Sequence, residues 1–326
     1  MLKVEDFLSQ WHNESHLIEV QTSGSTGIPK RMMVEKRRME ASARITCSFL
    51  GLEEGDTALL CMPLDYIAGK MVVVRAITCK LRLIAVEPSS HPLKDIMVTP
   101  TFAAMVPLQV FNSLQVPREA EILRNIKHLI IGGGAIDATL ESQLREFPNA
   151  VWSTYGMTET LSHIALRRIS GEEASLWYSP LEGVEISLNG DNCLVIDAPA
   201  VCKERLVTND IAELHHDVRR FRIIGRKDNV ICSGGLKIQI EEVERLLRPL
   251  LPYPFIVTKR PDPRLGEAVT LLYEGSAALG KDIDGICRKA LPHHWVPRHI
   301  LAIDHIPLTG TGKPARAEAE KMALTL

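Results

Sequence analysis

The chain has 326 residues, 45% of them hydrophobic and 24% charged, with a formal net charge of −2. These are the proportions of a globular protein with material for two domains. The near-neutral balance leaves no electrostatic basis for binding nucleic acid or a membrane surface. Residues 1–10 carry Glu5 and Asp6 and no long apolar run, unlike a secretory signal. No apolar stretch approaches the roughly 20 residues that span a bilayer. Seven cysteines, an odd number without a C-x-x-C, speak against a disulfide framework or a zinc site and fit a reducing cytoplasm. The pairs His215-His216 and His293-His294 lack a ligand partner at helical spacing and read as structural or solvated.

In chain order, residues 1–16 read as a short amphipathic helix and 17–20 as a strand. That strand delivers Thr22-Ser23-Gly24-Ser25-Thr26-Gly27-Ile28-Pro29-Lys30. Two glycines let backbone N–H groups approach an anion, four hydroxyls add donors, and Lys30 supplies a point charge. The chemistry implied is a cradle for polyphosphate, with a solvated Ser/Gly turn as the alternative. It is not a Walker A loop, because Ile28-Pro29 separates Gly27 from the lysine. Residues 35–50 read as helix closed by Gly51, 58–62 as a buried strand, 69–79 as helix and 81–86 as strand. The alternation continues with strand at 96–99, helix at 102–114, strand at 129–131, helix at 137–147 and strand at 151–154. It predicts an α/β fold: a mainly parallel sheet flanked by helices.

Ligands of such sheets bind beyond the carboxyl ends of the strands. The small-residue clusters at 22–27, 132–135 and 153–160 all follow or close apolar strands, which points them at one site. From residue 181 shorter alternating segments at 184–188, 193–197 and 221–224 predict a small antiparallel subdomain, with Asn189-Gly190 as a hairpin turn. An amphipathic helix follows at 241–248, and the rest reads as a small α+β C-terminal domain. The domains are set at 1–227 and 228–326.

Four spaced motifs together resemble the acyl-adenylate-forming (AMP-binding) superfamily of acyl- and aryl-CoA synthetases, peptide-synthetase adenylation domains and firefly-type luciferases. The first is the 22–30 segment, close to T-S-G-S/T-T-G-x-P-K. The second is Tyr155-Gly156-Met157-Thr158-Glu159-Thr160, like Y-G-x-T-E. The third joins Thr208-Asn209-Asp210 to Gly225-Arg226-Lys227-Asp228, like T-G-D and G-R-x-D. The fourth is Pro307-Leu308-Thr309-Gly310-Thr311-Gly312-Lys313, like P-x-T-x-x-G-K. They stand in the family's order over nearly the whole chain.

The resemblance implies that a carboxylate attacks the α-phosphorus of ATP, releasing pyrophosphate, and that a thiol then displaces AMP. Thr22, Ser23, Gly24, Ser25, Thr26, Gly27 and Lys30 would hold the outer phosphates, and Glu159 would bind Mg²⁺. Thr158 would meet the α-phosphate. Gly133, Gly134, Ala135 and Tyr155, with Gly156 and Met157, would line the adenylate slot. Asp210 would accept from the ribose hydroxyls beside Arg226. Lys313 would be the cation of the first step, Asp228 the hinge of a mobile C-terminal domain, and Gly234-Gly235 the face offered to CoA. Taken singly, each has a plainer reading: Glu159 as a helix-terminal charge, Asp210 as a turn residue, Lys313 as an exposed loop lysine, Gly132 to Gly134 as a strand-end turn.

Within the family, residues 62–70 and Ser233-Gly234-Gly235 resemble the o-succinylbenzoate–CoA ligases of menaquinone biosynthesis. That acid has two carboxylates, so a second cation must hold the one that does not react. Arg75, six residues after Gly69, is the candidate, with Tyr66 beside it; a helix-surface arginine is the alternative. Departures are Tyr66 for the usual histidine, Asn209 for glycine, Arg31 after Pro-Lys, and only residues 1–21 before the phosphate loop. The family's first subdomain is thus expected to be missing, its share of the acid pocket dispensable, rebuilt by a homodimer partner, or lost. The resemblance to shortened ligases of this kind favours a compact enzyme using ATP, Mg²⁺ and CoA. Other aryl or acyl acids, a carrier-protein thiol, and a non-catalytic adenylate sensor are the alternatives.

Overall fold

The computed structural model describes residues 2–21, 31–217, 219–308 and 314–326. Helix α1 (Val4–His12) buries Phe7 and Trp11, one turn apart, with ring centroids 6.0 Å from each other. Strands β1 (Leu17–Gln21) and β2 (Arg31–Glu35) form an antiparallel pair of their own, in register from Leu17 opposite Glu35 to Gln21 opposite Arg31. Its inner face, Ile18, Val20 and Val34, is buried. Helix α2 (Lys36–Leu50) follows and is closed by Gly51 in the left-handed region, φ 63°.

The main sheet then builds up as β3 (Thr57–Leu60), α3 (Ile67–Thr78), β4 (Arg82–Ala85), β5 (Phe102–Met105), α4 (Pro107–Leu114), α5 (Pro117–Asn125), β6 (His128–Ile131), α6 (Ala138–Arg145), β7 (Ala150–Gly156), β8 (His163–Arg168) and β9 (Ser179–Pro180). Its order is β4-β3-β5-β6-β7-β8-β9. The first five strands run parallel, and β8 and β9 are antiparallel additions at one edge. Alternation along β5 explains the two-sided core. Phe102 and Ala104 pack with the α2 and α3 residues Met39, Ala43, Val72 and Val73. Ala103 and Met105 pack with Val110, Leu123, Leu140 and Leu144 of α4 to α6. This is the mixed α/β fold expected from the alternation.

The next four strands, β10 (Glu185–Leu188), β11 (Cys193–Asp197), β12 (Leu206–Leu214) and β13 (Phe221–Arg226), make an antiparallel sheet in sequential order. A 3₁₀ turn, Lys227–Asn229, leads to β14 (Val230–Ser233), β15 (Leu236–Gln239), α7 (Ile240–Leu247), β16 (Phe255–Asp262), β17 (Gly266–Glu274), α8 (Gly280–Ala290), β18 (His299–Ile303) and α9 (Arg316–Thr325). The sheet here is β15-β14-β17-β16, with β18 parallel to β17. Its apolar clusters share no residue with those before Asp228.

Three expectations need correction. Residues 96–99 are not a strand: Met97 and Val98 are 85% and 65% exposed, and Pro100 closes the segment. The strand is Phe102–Met105, inside the stretch read as helix, although alanine and methionine favour helices. Burial on both faces overrides that propensity, and the helix starts only at Pro107, where a missing N–H is harmless. The Asn189-Gly190 turn joins β10 to β11 as a longer loop. Asn189 Oδ1 accepts from the N–H groups of Asp191 and Cys193, and the left-handed residue is Asn192, φ 60°.

Candidate active site

The loops after β3, β5, β6 and β7 leave from the same carboxyl edge of the parallel sheet, and three carry candidate residues. Tyr66 ends the loop after β3 as the N-cap of α3. Gly133, Gly134 and Ala135 follow β6, all exposed, with Gly133 in the left-handed region at φ 80°. Tyr155 and Gly156 close β7, whose neighbour in register is β6, Ile131 opposite Ser153. The bare rim after β6 thus stands beside the Tyr155 to Glu159 run.

That run is a tight reversal between β7 and β8. Thr158–Thr160 form a single 3₁₀ turn, Leu161 takes a positive φ of 64°, and β8 begins at His163. A positive φ at a buried leucine is a strained conformation held by its surroundings. Here the holder is the fully buried Thr160: its Oγ1 accepts from Met157 N at 3.0 Å and lies 2.9 and 2.7 Å from the carbonyl oxygens of Met157 and Ser162. Thr158 is buried and Glu159 exposed at the crest of the turn. Among the described residues, no group of three or more His, Cys, Asp or Glu could enclose a metal. One exposed carboxylate is nonetheless a fitting donor for Mg²⁺, which takes one or two carboxylates together with substrate phosphates.

The antiparallel sheet contributes a charged network to the same edge. Asp210 of β12 faces Arg226 of β13 in register. Arg226 Nη1 donates to Asp210 Oδ1 at 3.0 Å and Nη2 to Asp228 Oδ2 at 2.7 Å. Asn209 Nδ2 lies 3.3 Å from both oxygens of Asp228. Tyr155 OH donates to Asp210 Oδ2 at 2.6 Å, joining the two sheets. Burial, then the Asp210 charge, pushes the Tyr155 phenol far above its ordinary pKa, so it remains a donor. Its ring packs edge-on against Phe221 at 5.1 Å. Asp210 therefore sits in a strand, not in a turn.

Arg75 is not a surface residue. It is 2% exposed within α3, its guanidinium 6.0 Å from the centre of the Phe102 ring. Its Nη2 donates to Ser162 Oγ at 2.6 Å and lies 3.5 Å from Thr46 Oγ1, while Nε has no partner among the described residues. Burial lowers its pKa to about 10. His163, also buried, shares Thr46 at 3.1 Å and is held well below its ordinary pKa by burial and by the Arg75 charge. Among the described residues this cation has no acidic partner, and a desolvated charge of that kind is costly to bury. Ser162, half-buried at the end of the β7–β8 reversal, accepts the hydrogen bond of that cation. Ser162, His163 and Thr46 were not singled out in the sequence, although Ser162 stands only three residues after the end of the Y-G-x-T-E run.

Gly234-Gly235 form the turn between β14 and β15, both in the left-handed region at φ 58° and 83°. Gln239, at the end of that hairpin, donates to the Arg226 carbonyl at 2.8 Å. Thr22, Ser23, Gly24, Ser25, Thr26, Gly27, Lys30 and Lys313 lie outside the described residues. The flanks of the two segments are seen: Gln21 opposite Arg31, and Leu308 bridged to Pro314.

A family model described as AMP-binding enzyme matches residues 10–194, more than half of the chain. The chain belongs to the AMP-binding enzyme family. This AMP-binding chain is 30% identical over 310 residues to a 2-succinylbenzoate–CoA ligase of Salmonella typhimurium, covering 88% of its own length and 65% of that ligase. It is 30% identical over 253 residues to the Escherichia coli ligase of the same name, covering 72% of itself and 54% of the relative. It thus spans less than two thirds of the length of either. Among solved structures, an acyl-CoA synthetase (AMP-forming)/AMP-acid ligase II-like protein from Dyadobacter fermentans matches with 32% identity and a TM-score of 0.66, over 98% of this chain and 92% of that one. The o-succinylbenzoate coenzyme A synthetase of Bacillus subtilis, in complex with ATP and magnesium ion, has the same fold at 22% identity, with a TM-score of 0.74 over 92% of this chain and 69% of that one. Among the described residues, no helix of the AMP-binding chain is long and apolar enough to cross a membrane.

Proposed function

We propose that this AMP-binding enzyme is an ATP-dependent acid–CoA ligase acting on o-succinylbenzoate, a step of menaquinone biosynthesis. One carboxylate oxygen of the acid attacks the α-phosphorus of ATP, forming the O–P bond of the acyl-adenylate as pyrophosphate leaves. The CoA thiol, giving up its proton, then attacks the acyl carbon, forming the thioester as AMP leaves. The observation that carries the reading is the Tyr155–Asp210–Arg226 network set beside the bare Gly133-Gly134-Ala135 rim. It offers a carboxylate with fixed orientation where ribose hydroxyls would donate, next to a wall of two glycines and an alanine where a flat base would lie.

In this reading each group has one task. Asp210 accepts from the ribose, oriented by Tyr155 and Arg226. Thr158 donates to the α-phosphate. Glu159 holds Mg²⁺, which when bound neutralises phosphate charge that would repel an attacking anion. The 22–30 segment holds the outer phosphates, and Lys313 brings the second cation to the α-phosphorus. Arg75, through Ser162, holds the carboxylate that does not react, with Tyr66 near it. Residues 1–227 form the adenylate-forming domain and 228–326 a second domain that turns about Asp228. That turn withdraws Lys313 and offers Gly234-Gly235 to CoA. Support comes from the family membership, from the relatives' names, and from a buried cation beside the reversal that has no acidic partner among the described residues.

The test is the product. With ATP, Mg²⁺, o-succinylbenzoate and CoA, mass spectrometry should find the o-succinylbenzoyl thioester of CoA. Thioester formation only with other acids would move the substrate and keep the reaction. Acceptance only of a carrier-protein thiol would move the acceptor. The compact chain is proposed to work in the cytoplasm, and light scattering decides between a monomer and a homodimer whose partner walls the acid pocket.

A further inference from the structure

Glu244 of α7, Val257 of β16 and Arg316 at the start of α9 are locked together. The two terminal nitrogens of Arg316 meet the two oxygens of Glu244 at 3.0 and 2.8 Å, and Nη1 lies 3.3 Å from the Val257 carbonyl. Glu244 Oε1 also accepts from Val257 N at 2.9 Å. The glutamate side chain is 9% exposed and the arginine 25%. A buried pair of this kind adds little net stability compared with apolar side chains of the same volume, because both charges are desolvated. What the planar fork does fix is direction. Docking of α9 is already provided by Ala319 and Ala323, fully buried against Ile256, Leu272 and Ile303.

Arg316 stands three residues after Lys313. The chain on either side of residues 309–313 is drawn together by the Leu308–Pro314 bridge and by Ala315 N donating to the Pro307 carbonyl at 2.8 Å. Upstream, Ile306 N donates to Glu274 Oε1 at 2.7 Å. We propose that Glu244 and Arg316 are positioning residues for Lys313, fixing the C-terminal root of its segment so that the ammonium meets the α-phosphate in register. This rests on the role given to Lys313 above. A cation that stabilises charge in a transition state must be placed to a fraction of an ångström, and about 1 Å of misplacement costs on the order of 10²-fold.

The test separates the two half-reactions in the full-length protein. Arg316→Lys keeps the charge and loses the fork. It should lower kcat of acid-dependent pyrophosphate exchange by about ten- to a hundredfold, with KM for ATP and acid near the parent values. CoA transfer from the synthetic adenylate of the same acid should keep its rate. Glu244→Gln, which keeps the bond to Val257 N, is the milder second variant should Arg316→Lys not fold. Equal loss of both half-reactions would overturn the positioning role and leave the Lys313 reading standing. Full exchange by Lys313→Ala alone would overturn both.

Discussion

Gly156 is where a single methyl group should do most damage to the site. A Cβ built on it stands 2.3 Å from the Ser162 carbonyl oxygen, 2.5 Å from His163 Cα and 2.8 Å from the Ser162 carbonyl carbon. All three are backbone atoms, so no side chain can swing aside. Relief to an ordinary separation of ~3.5 Å between non-bonded atoms requires β7 and β8 to part locally by about 1 Å. The reversal resists this, because Thr160 Oγ1 sits 2.7 Å from the same Ser162 oxygen and Ser162 N donates to the Thr160 carbonyl at 2.7 Å. Overpacking of this kind costs about 1–3 kcal/mol, read as a lower denaturant midpoint. The displacement falls on Tyr155, which donates to Asp210, and on Ser162, which accepts from Arg75. Gly156→Ala should therefore lose about 10²-fold in pyrophosphate exchange at temperatures where it remains folded. Gly51→Ala is the control: its Cβ meets nothing within 4 Å, and only the positive φ is strained. It should cost about 1 kcal/mol of stability and no exchange activity. Parent-level exchange by folded Gly156→Ala would refute the idea that the reversal sets the site's geometry.

Arg75→Met removes a buried charge that has no acidic partner among the described residues, so the melting temperature should hold or rise while KM for the acid increases by about tenfold or more; a loss of stability with unchanged KM would make Arg75 a structural residue. Arg226→Lys keeps a charge but cannot span both Asp210 and Asp228, and should raise KM for ATP by about tenfold, measured by initial rates. His163 is neutral when folded and takes up a proton more readily when unfolded. The unfolded chain therefore binds more protons below about pH 6.5, and stability should fall as the pH drops through that value. In denaturant titrations across that range, His163→Gln should flatten the slope.

The sequence carried more of the fold where periodicity and length agreed, as in α2, α6 and the strands around β6 and β7. It misled at residues 96–105, where an exposed Met-Val pair and a buried Phe-Ala-Ala-Met run have the wrong propensities for their places. Strands β2, β8 and β12 were not read as strands. Each is paired antiparallel to a strand that was read, and pairing is not written in local pattern. The candidate residues were legible as motifs because their chemistry needs small, hydroxyl and charged types at fixed spacing. What was not legible is how they are held. That Tyr155 serves Asp210, that Arg226 bridges Asp210 to Asp228, and that Arg75 is buried behind Ser162 are facts of tertiary approach. Nothing at positions 75 and 162, separated by more than half the main sheet, announces their contact.

The central claim is that this site joins an acid to the α-phosphorus of ATP. The direct measurement is exchange of labelled pyrophosphate into ATP with Mg²⁺, in the absence of CoA, with and without o-succinylbenzoate. Label should enter ATP only when the acid is present, and Lys313→Ala should abolish that entry. Nucleotide binding with no exchange in the presence of o-succinylbenzoate or any other aryl or acyl acid would contradict the account and make the chain an adenylate-binding protein without this chemistry.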